Sequence, residues 1–272
     1  RVGGVAVGDV DADGAAEIVY STDNGHVYCL TAEGRVEWRY DELAPYGRSG
    51  PNIADVNNDG KSEVYVTRSN VGNATCIMAL DAANGAFLWR SKDIQQGYVS
   101  NAFADLDGDG KQEILHGDKG DFLYCENADG SRRWQAELGG RGLFWAPAVA
   151  DVDGDGALEI VAGMRGMDAN GTSVFVVDAD GKVEATIKAG NSANASPAIG
   201  DIDGDGQLEV IVMAEGQKNE VQCYSWGKGG KVAWPSIRGN SAMTANANVP
   251  PGAPTDVPLR TPQDRRAREE RS

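Results

Sequence analysis

One word recurs along this chain and decides most of what the chain can become. It reads DVDADGAAEIV from Asp9, DVNNDGKSEVYV from Asp55, DLDGDGKQEIL from Asp105, DVDGDGALEIV from Asp151 and DIDGDGQLEVIV from Asp201. The five copies are spaced by 46, 50, 46 and 50 residues. A regular period of this length marks one supersecondary unit used repeatedly, so the fold follows from the unit. Each copy also crowds carboxylates together. Two of them ~4 Å apart repel by ~1 kcal/mol in water and ~4 kcal/mol at an effective dielectric of 20, so something must offset that repulsion.

The fourth unit shows what surrounds the word. PAVAD reads as a short strand of small residues, the acidic word as a loop, and LEIVAGM as a β-branched strand buried on both faces. RGMDANGT is turn chemistry, SVFVVDADG a third strand ending in a turn, and KVEATI an alternating fourth strand. Pro51, Pro147 and Pro197 each stand four residues before the first loop Asp, where proline is tolerated at the start of a strand. A glycine closes the last hairpin of each unit (Gly34, Gly85, Gly130, Gly181, Gly230), and four residues later stand Trp38, Trp89, Trp134, Ala185 and Trp234. A large aromatic at one fixed place per unit suits packing between adjacent sheets.

These signals predict an all-β fold: a β-propeller of four-stranded antiparallel blades, with five blades visible. The expected propeller spans residues 1–248, with blades near 1–50, 51–100, 101–146, 147–196 and 197–248. Five blades can close a ring or form part of a larger one. The remaining stretch, 249–272, has five prolines in its first fourteen residues and then RRAREER; it is expected to be a disordered tail.

The word itself has the spacing D-x-[DN]-x-D-G-x-x-E, which fits one hard cation. Side-chain oxygens at positions 1, 3, 5 and 9 and the backbone carbonyl of position 7 can wrap the ion, while Gly at position 6 permits the turn. The candidate ligands are Asp9, Asp11, Asp13, Ala15 and Glu17; Asp55, Asn57, Asp59, Lys61 and Glu63; Asp105, Asp107, Asp109, Lys111 and Glu113; Asp151, Asp153, Asp155, Ala157 and Glu159; and Asp201, Asp203, Asp205, Gln207 and Glu209. Calcium, up to five ions, is expected. Magnesium prefers a tighter octahedron, and zinc would want His or Cys, which no copy supplies. A helix–loop–helix calcium site is excluded because its last acid lies at position 12, before a helix. One site filled at 100 times its dissociation constant adds ~2.7 kcal/mol, so five independent sites add an amount on the order of a whole domain's stability of ~5–15 kcal/mol.

Charge supports this assignment. The loops carry four negative side chains in each of four copies and three in the second, 19 in all, so a net charge of −16 leaves the rest of the chain at +3. No basic stripe is present to bind nucleic acid. No apolar run approaches the ~20 residues of a membrane span, so membrane insertion is not expected. Cys29, Cys76, Cys125 and Cys223 form no CxxC pair and all fall in stretches read as inner strands; they read as small buried hydrophobes, with one disulfide among them as the alternative. His26, read in a turn, and His116, read near a strand end, form no metalloprotease-like pair, and no G-x-S-x-G elbow occurs. No catalytic residue is assigned.

Binding is expected on the face away from the acidic loops, where the connections between blades lie. Aromatic and Arg side chains there are the candidates: Tyr46, Arg48, Tyr98, Arg141, Phe144 and Trp145. Local packing, or filling of a central channel, is the alternative reading of the same residues.

With D-x-D-x-D-G-x-x-E placed between two strands five times, the chain resembles the FG-GAP/VCBS repeats of integrin α-subunit-like propellers and of many secreted bacterial proteins, over residues 1–238. DAANGAFLW at 81–89 and the Gly-to-Trp spacing also look like the blade-docking positions of quinoprotein-type propellers. The first resemblance implies a calcium-stabilised, non-catalytic module for recognition or adhesion. Such a module would be extracellular, on the cell surface or periplasmic, with an extracellular protein or glycan as partner. The alternative is part of a propeller enzyme, a polysaccharide lyase or quinoprotein-like, with active residues partly outside this chain.

Overall fold

The computed structural model describes residues 2–41, 50–69, 74–92, 94–95, 100–139, 142–143, 145–191, 193, 195–215, 219–226 and 229–234. Among these residues every regular element is a β-strand. The first sheet runs β1 (Val2–Gly8), β2 (Glu17–Thr22), β3 (His26–Leu30) and β4 (Val36–Asp41) in spatial order. The second runs β5 (Asn52–Ala54), β6 (Glu63–Ser69), β7 (Ala74–Asp81) and β8 (Phe87–Arg90), with the short β9 (Ile94–Gln95) also pairing with β7. The third has β10 (Ala102–Ala104), β11 (Glu113–Gly117), β12 (Phe122–Glu126) and β13 (Arg132–Glu137). The fourth has β14 (Ala148–Ala150), β15 (Glu159–Gly163), β16 (Val174–Val177) and β17 (Val183–Ile187), and the fifth β18 (Ala198–Gly200), β19 (Glu209–Ala214) and β20 (Glu220–Ser225).

Local chemistry sets these boundaries. Pro51, Pro147 and Pro197 each stand one residue before a strand, where their missing N–H costs no ladder bond. The acidic word fills the turn from first to second strand in every sheet. Its closing Glu opens the second strand opposite the last residue of the first: Gly8↔Glu17, Ala54↔Glu63, Ala104↔Glu113, Ala150↔Glu159 and Gly200↔Glu209. The first strands lie nearest one another, β1 against β5, β10 against β14 and β14 against β18.

Apolar clusters fill the space between successive sheets. Val19, Val27, Ile53 and Met78 pack between the first and second. Tyr65, Ile77, Phe103 and Leu115 belong to the cluster joining the second, third and fourth, and Val161, Val176, Ile199 and Val210 to the one joining the fourth and fifth. Each such side chain contributes ~1.5–3 kcal/mol when fully buried. Burial follows position in the series. β11 and β15 are buried at every residue, β2 alternates buried with part-exposed residues, and β20 is mostly exposed, with Val221 at 70%.

The tryptophans dock the sheets as the spacing predicts. Trp38 lies on Gly85 of the next sheet, Trp89 on Gly130 and Trp134 on Gly181. Each of these glycines has positive φ (73°, 80° and 86°), and a Cβ there would strike the indole. Trp38 Nε1 donates to Ala82 O at 2.8 Å and Trp134 Nε1 to Ala179 O at 2.9 Å. Gly34, in the first sheet, has no such neighbour among the described residues.

The fifth unit departs from expectation. Its fourth strand, β21 (Val232–Trp234), does not complete the fifth sheet but pairs antiparallel with β14 of the fourth. The docking position, an indole in the first three units, is Ala185 in the fourth, and Gly230 of the fifth unit lies against Asp151 and not against a docking tryptophan. Trp234 is instead 1% exposed, with its ring centroid 5.3 Å from that of Phe103 on β10.

Two smaller expectations also change. Cys29, Cys76 and Cys125 are buried as read, but Cys223 is exposed, because β20 belongs to the thinly covered fifth sheet; all four are free thiols. His26 opens β3 instead of lying in a turn, and its Nδ1 sits 2.8 Å from Asp41 Oδ1 on the neighbouring β4.

Candidate metal centres at the acidic loops

Backbone donors hold each acidic loop in shape. The Asp at position 1 accepts from the N–H groups of positions 4 and 6, as in Gly154 N to Asp151 Oδ1 at 2.7 Å and Gly156 N to Asp151 Oδ2 at 3.1 Å. The loops at Asp9, Asp105 and Asp201 repeat this pair. In the second loop, Asp55 takes Asp59 N and Gly60 N. The N–H of position 7 donates to the carboxylate at position 5 in all five: Ala15 to Asp13, Lys61 to Asp59, Lys111 to Asp109, Ala157 to Asp155 and Gln207 to Asp205, at 2.7–2.9 Å. Position 3 accepts from position 5 likewise, with Asp11, Asn57, Asp107, Asp153 and Asp203 as acceptors. Turns this tight need left-handed backbone at positions 4 and 6. Glycine supplies it at position 6 throughout, but position 4 is Ala12 (φ 65°) in the first loop and Asn58 (φ 58°) in the second.

The closing glutamates divide their oxygens. One oxygen accepts the N–H of position 2: Val10 to Glu17, Val56 to Glu63, Leu106 to Glu113, Val152 to Glu159 and Ile202 to Glu209, at 2.8–3.3 Å. All five glutamates are buried, between 2% and 5% exposed, with acids close by. Burial pushes the Glu63 and Glu159 carboxyls up to about 7, and the adjacent Asp charges add to the rise. Glu17 and Glu113 are raised for the same leading reason.

In four loops three carboxylates come within 4.8 Å of one another: Asp9, Asp11 and Asp13; Asp105, Asp107 and Glu113; Asp151, Asp153 and Glu159; Asp201, Asp203 and Glu209. This donor set is all oxygen and anionic, and in the third loop the Arg133 guanidinium already sits against it as a cation, 2.5 Å from Asp107 Oδ2. These residues could hold a hard divalent ion. The second loop does not join this group, because neutral Asn57 replaces the central acid and its amide bonds Asp59 and Glu63.

Two features escaped the sequence. A buried polar cluster crosses the third sheet: His116 Nε2 is 3.2 Å from Glu126 Oε1, Arg132 Nε donates to both Glu126 oxygens at 2.9 and 3.0 Å, and the Arg132 guanidinium lies 4.3 Å from the centroid of Tyr124. The Tyr124 hydroxyl donates to fully buried Asp118 at 2.8 Å. No single strand carries a motif for it, and the one signal was His116 itself. The second feature is a cleft of about 520 Å³ between the second and third acidic loops, lined by Asn57, Glu63, Trp89, Asp107, Asn127 and Arg133 among others. Of the expected binding residues, Trp145 is 37% exposed, while Tyr46, Arg48, Tyr98, Arg141 and Phe144 lie outside the described residues. No described helix is long and apolar enough to cross a membrane.

Comparison with known proteins agrees with this architecture. Residues 55–116 and 105–162 match the FG-GAP-like repeat family model. No curated protein sequence matches the chain. Among solved structures, the exotype rhamnogalacturonan lyase YesX is similar at a TM-score of 0.61 and 18% identity, over 88% of this chain and 49% of that one. The Bacillus licheniformis rhamnogalacturonan lyase PL11 aligns at 0.60 and 19%, over 88% and 51%. The V. cholerae biofilm matrix protein Bap1 aligns at 0.56 and 19%, over 93% and 41%. The chain spans about half the length of the two lyases.

Proposed function

From a chain that carries FG-GAP-like repeats on a β-propeller framework, we propose a calcium-stabilised, non-catalytic module for recognition or adhesion outside the cytoplasm, with a protein or glycan as its partner. The observation that carries this reading is the repeated convergence of three carboxylates at one corner of four sheets. Calcium takes 6–8 oxygens, and each loop offers carboxylates already fixed by backbone N–H groups, so little further ordering is required on binding. The side-chain oxygens of positions 1, 3, 5 and 9 and the carbonyl of position 7 would hold the ion. Its charge would offset the cost of burial, and the lesser repulsion from neighbouring Asp side chains, that raises Glu17, Glu63, Glu113 and Glu159. Sites of this kind fill at ~10⁻⁴–10⁻³ M in extracellular modules, which suits a calcium-rich exterior. The likeness to a biofilm matrix protein supports the adhesive form of this reading.

A second reading rests on the two lyases: the chain would be the propeller portion of a polysaccharide-cleaving enzyme. Melting curves with and without chelator, a glycan-array screen of the calcium-loaded protein and an assay for rhamnogalacturonan cleavage separate the two. Calcium-dependent melting with glycan or protein capture and no cleavage upholds the first reading. Cleavage replaces it with the second, and melting that ignores both chelator and calcium removes the structural role of the ion.

A further inference from the structure

The last hairpin of each of the first four sheets contains a β-bulge, and the bulged residue stands immediately before the docking position. In the first sheet Cys29 pairs with Trp38 and Leu30 with Val36, leaving Glu37 over; Leu88, Arg133 and Glu184 are left over in the same way in the second, third and fourth. Bulges re-aim side chains, and in three sheets the result reaches the sheet's own acidic loop. Glu37 lies close enough to add its negative charge to the field at Glu17. Leu88 lines the cleft with Asn57 and Glu63. Arg133 Nη1 is 2.5 Å from Asp107 Oδ2 and 3.5 Å from Glu113 Oε1, two of the three carboxylates that converge in the third loop. One structural position therefore presents an acid, an apolar group and a base to three otherwise similar loops.

We propose that Arg133 is a built-in counter-ion of the third loop: it competes with a divalent ion for Asp107 and Glu113, makes this loop a weaker calcium site than the first, fourth and fifth, and keeps it closed when no ion is bound. This rests on the calcium reading above. A guanidinium stays protonated at any physiological pH, so the competition is permanent and does not switch with acidity. Arg133 is 24% exposed and Glu113 4%, so solvent screens that contact less than a surface ion pair, whereas Asp107, at 34%, stays more open to water. An incoming ion must displace the side chain or bind beside its charge.

The test is a calcium titration by isothermal calorimetry on chelator-stripped wild type, Arg133→Leu and Glu37→Arg, with melting curves of each stripped and loaded. Leucine is the bulge residue that the second sheet already uses. Arg133→Leu is expected to tighten one site by about tenfold or more and to lower the melting temperature of the stripped protein but not of the loaded one. Glu37→Arg, which puts a guanidinium at the same bulge position beside the first loop, is expected to weaken binding there by a comparable factor. Unchanged or weaker calcium binding in Arg133→Leu overturns the proposal. If that variant does not fold, Arg133→Gln takes its place, and an unchanged titration there overturns the proposal. Calcium heats that are present but identical in all three proteins sink only the role of Arg133; no calcium heat in any of them sinks the calcium reading as well.

Discussion

The indole of Trp134 rests on Gly181 so closely that a Cβ at that glycine would lie 2.8 Å from the ring, while the indole N–H donates to Ala179 two residues earlier. Shape and hydrogen bond together make this a lock between the third and fourth sheets. Gly181→Ala should therefore destabilise the protein by about 2–4 kcal/mol, combining overpacking with strain at φ 86°. Gly34→Ala, at a closely similar φ of 85° but with no described neighbour within 4 Å, should cost only about 1 kcal/mol. Urea unfolding of the two variants side by side checks the difference; equal losses would mean that backbone strain alone is at work.

The first acidic loop carries an avoidable strain. Ala12 adopts φ 65°, where the third, fourth and fifth loops use Gly108, Gly154 and Gly204. Ala12→Gly should stabilise by roughly 0.5–1 kcal/mol, the relief of the left-handed Cβ outweighing the added freedom of the unfolded chain. A higher urea midpoint with unchanged slope is the expected reading.

Removing calcium should lower the melting temperature, and the loss should shrink when one loop is disabled. Asp151→Ala deletes the acceptor for both Gly154 and Gly156 and one of the three converging carboxylates. It should reduce the calcium-dependent gain by about 2–3 kcal/mol and destabilise the stripped protein by about 1 kcal/mol through the lost hydrogen bonds. Differential scanning calorimetry in EDTA and in millimolar calcium separates the two contributions.

Glu126 has no exposed surface and meets both Arg132 and His116. Glu126→Ala leaves a largely buried guanidinium without its partner and should cost about 3–5 kcal/mol. Glu126→Leu combined with Arg132→Met should recover much of that loss, since apolar replacement of a buried pair is often neutral. Chemical unfolding of the single and double variants measures the recovery.

The sequence spoke clearly wherever the governing chemistry is local. The loop spacing, the proline before the first strand and the four-residue step from glycine to tryptophan are each written within one unit, and the first three tryptophans dock where that step predicts. Long-range terms were silent. Nothing in VAW at 232–234 says that it will leave its own sheet to pair with β14 of the preceding unit. The cluster of His116, Glu126 and Arg132 draws one residue from each of three strands, so no window along the chain displays it. The bulge that brings Arg133 to Asp107 arises from pairing register, which composition does not encode. The backbone N–H groups that cradle the acids were hidden for a simpler reason: every residue but proline has one, and only the turn decides where it points.

The route of β21 determines how the molecule would carry a load. Because this strand pairs with β14 and seats Trp234 beside Phe103, tension drawn through the chain beyond residue 234 meets the fourth sheet before it meets any strand of the fifth. The fifth sheet is then fastened at both ends, through β18 on one side and through the crossing strand on the other. A pull from the C-terminal side would therefore have to break the β14–β21 pairing and unseat Trp234 before it could unravel the fifth sheet.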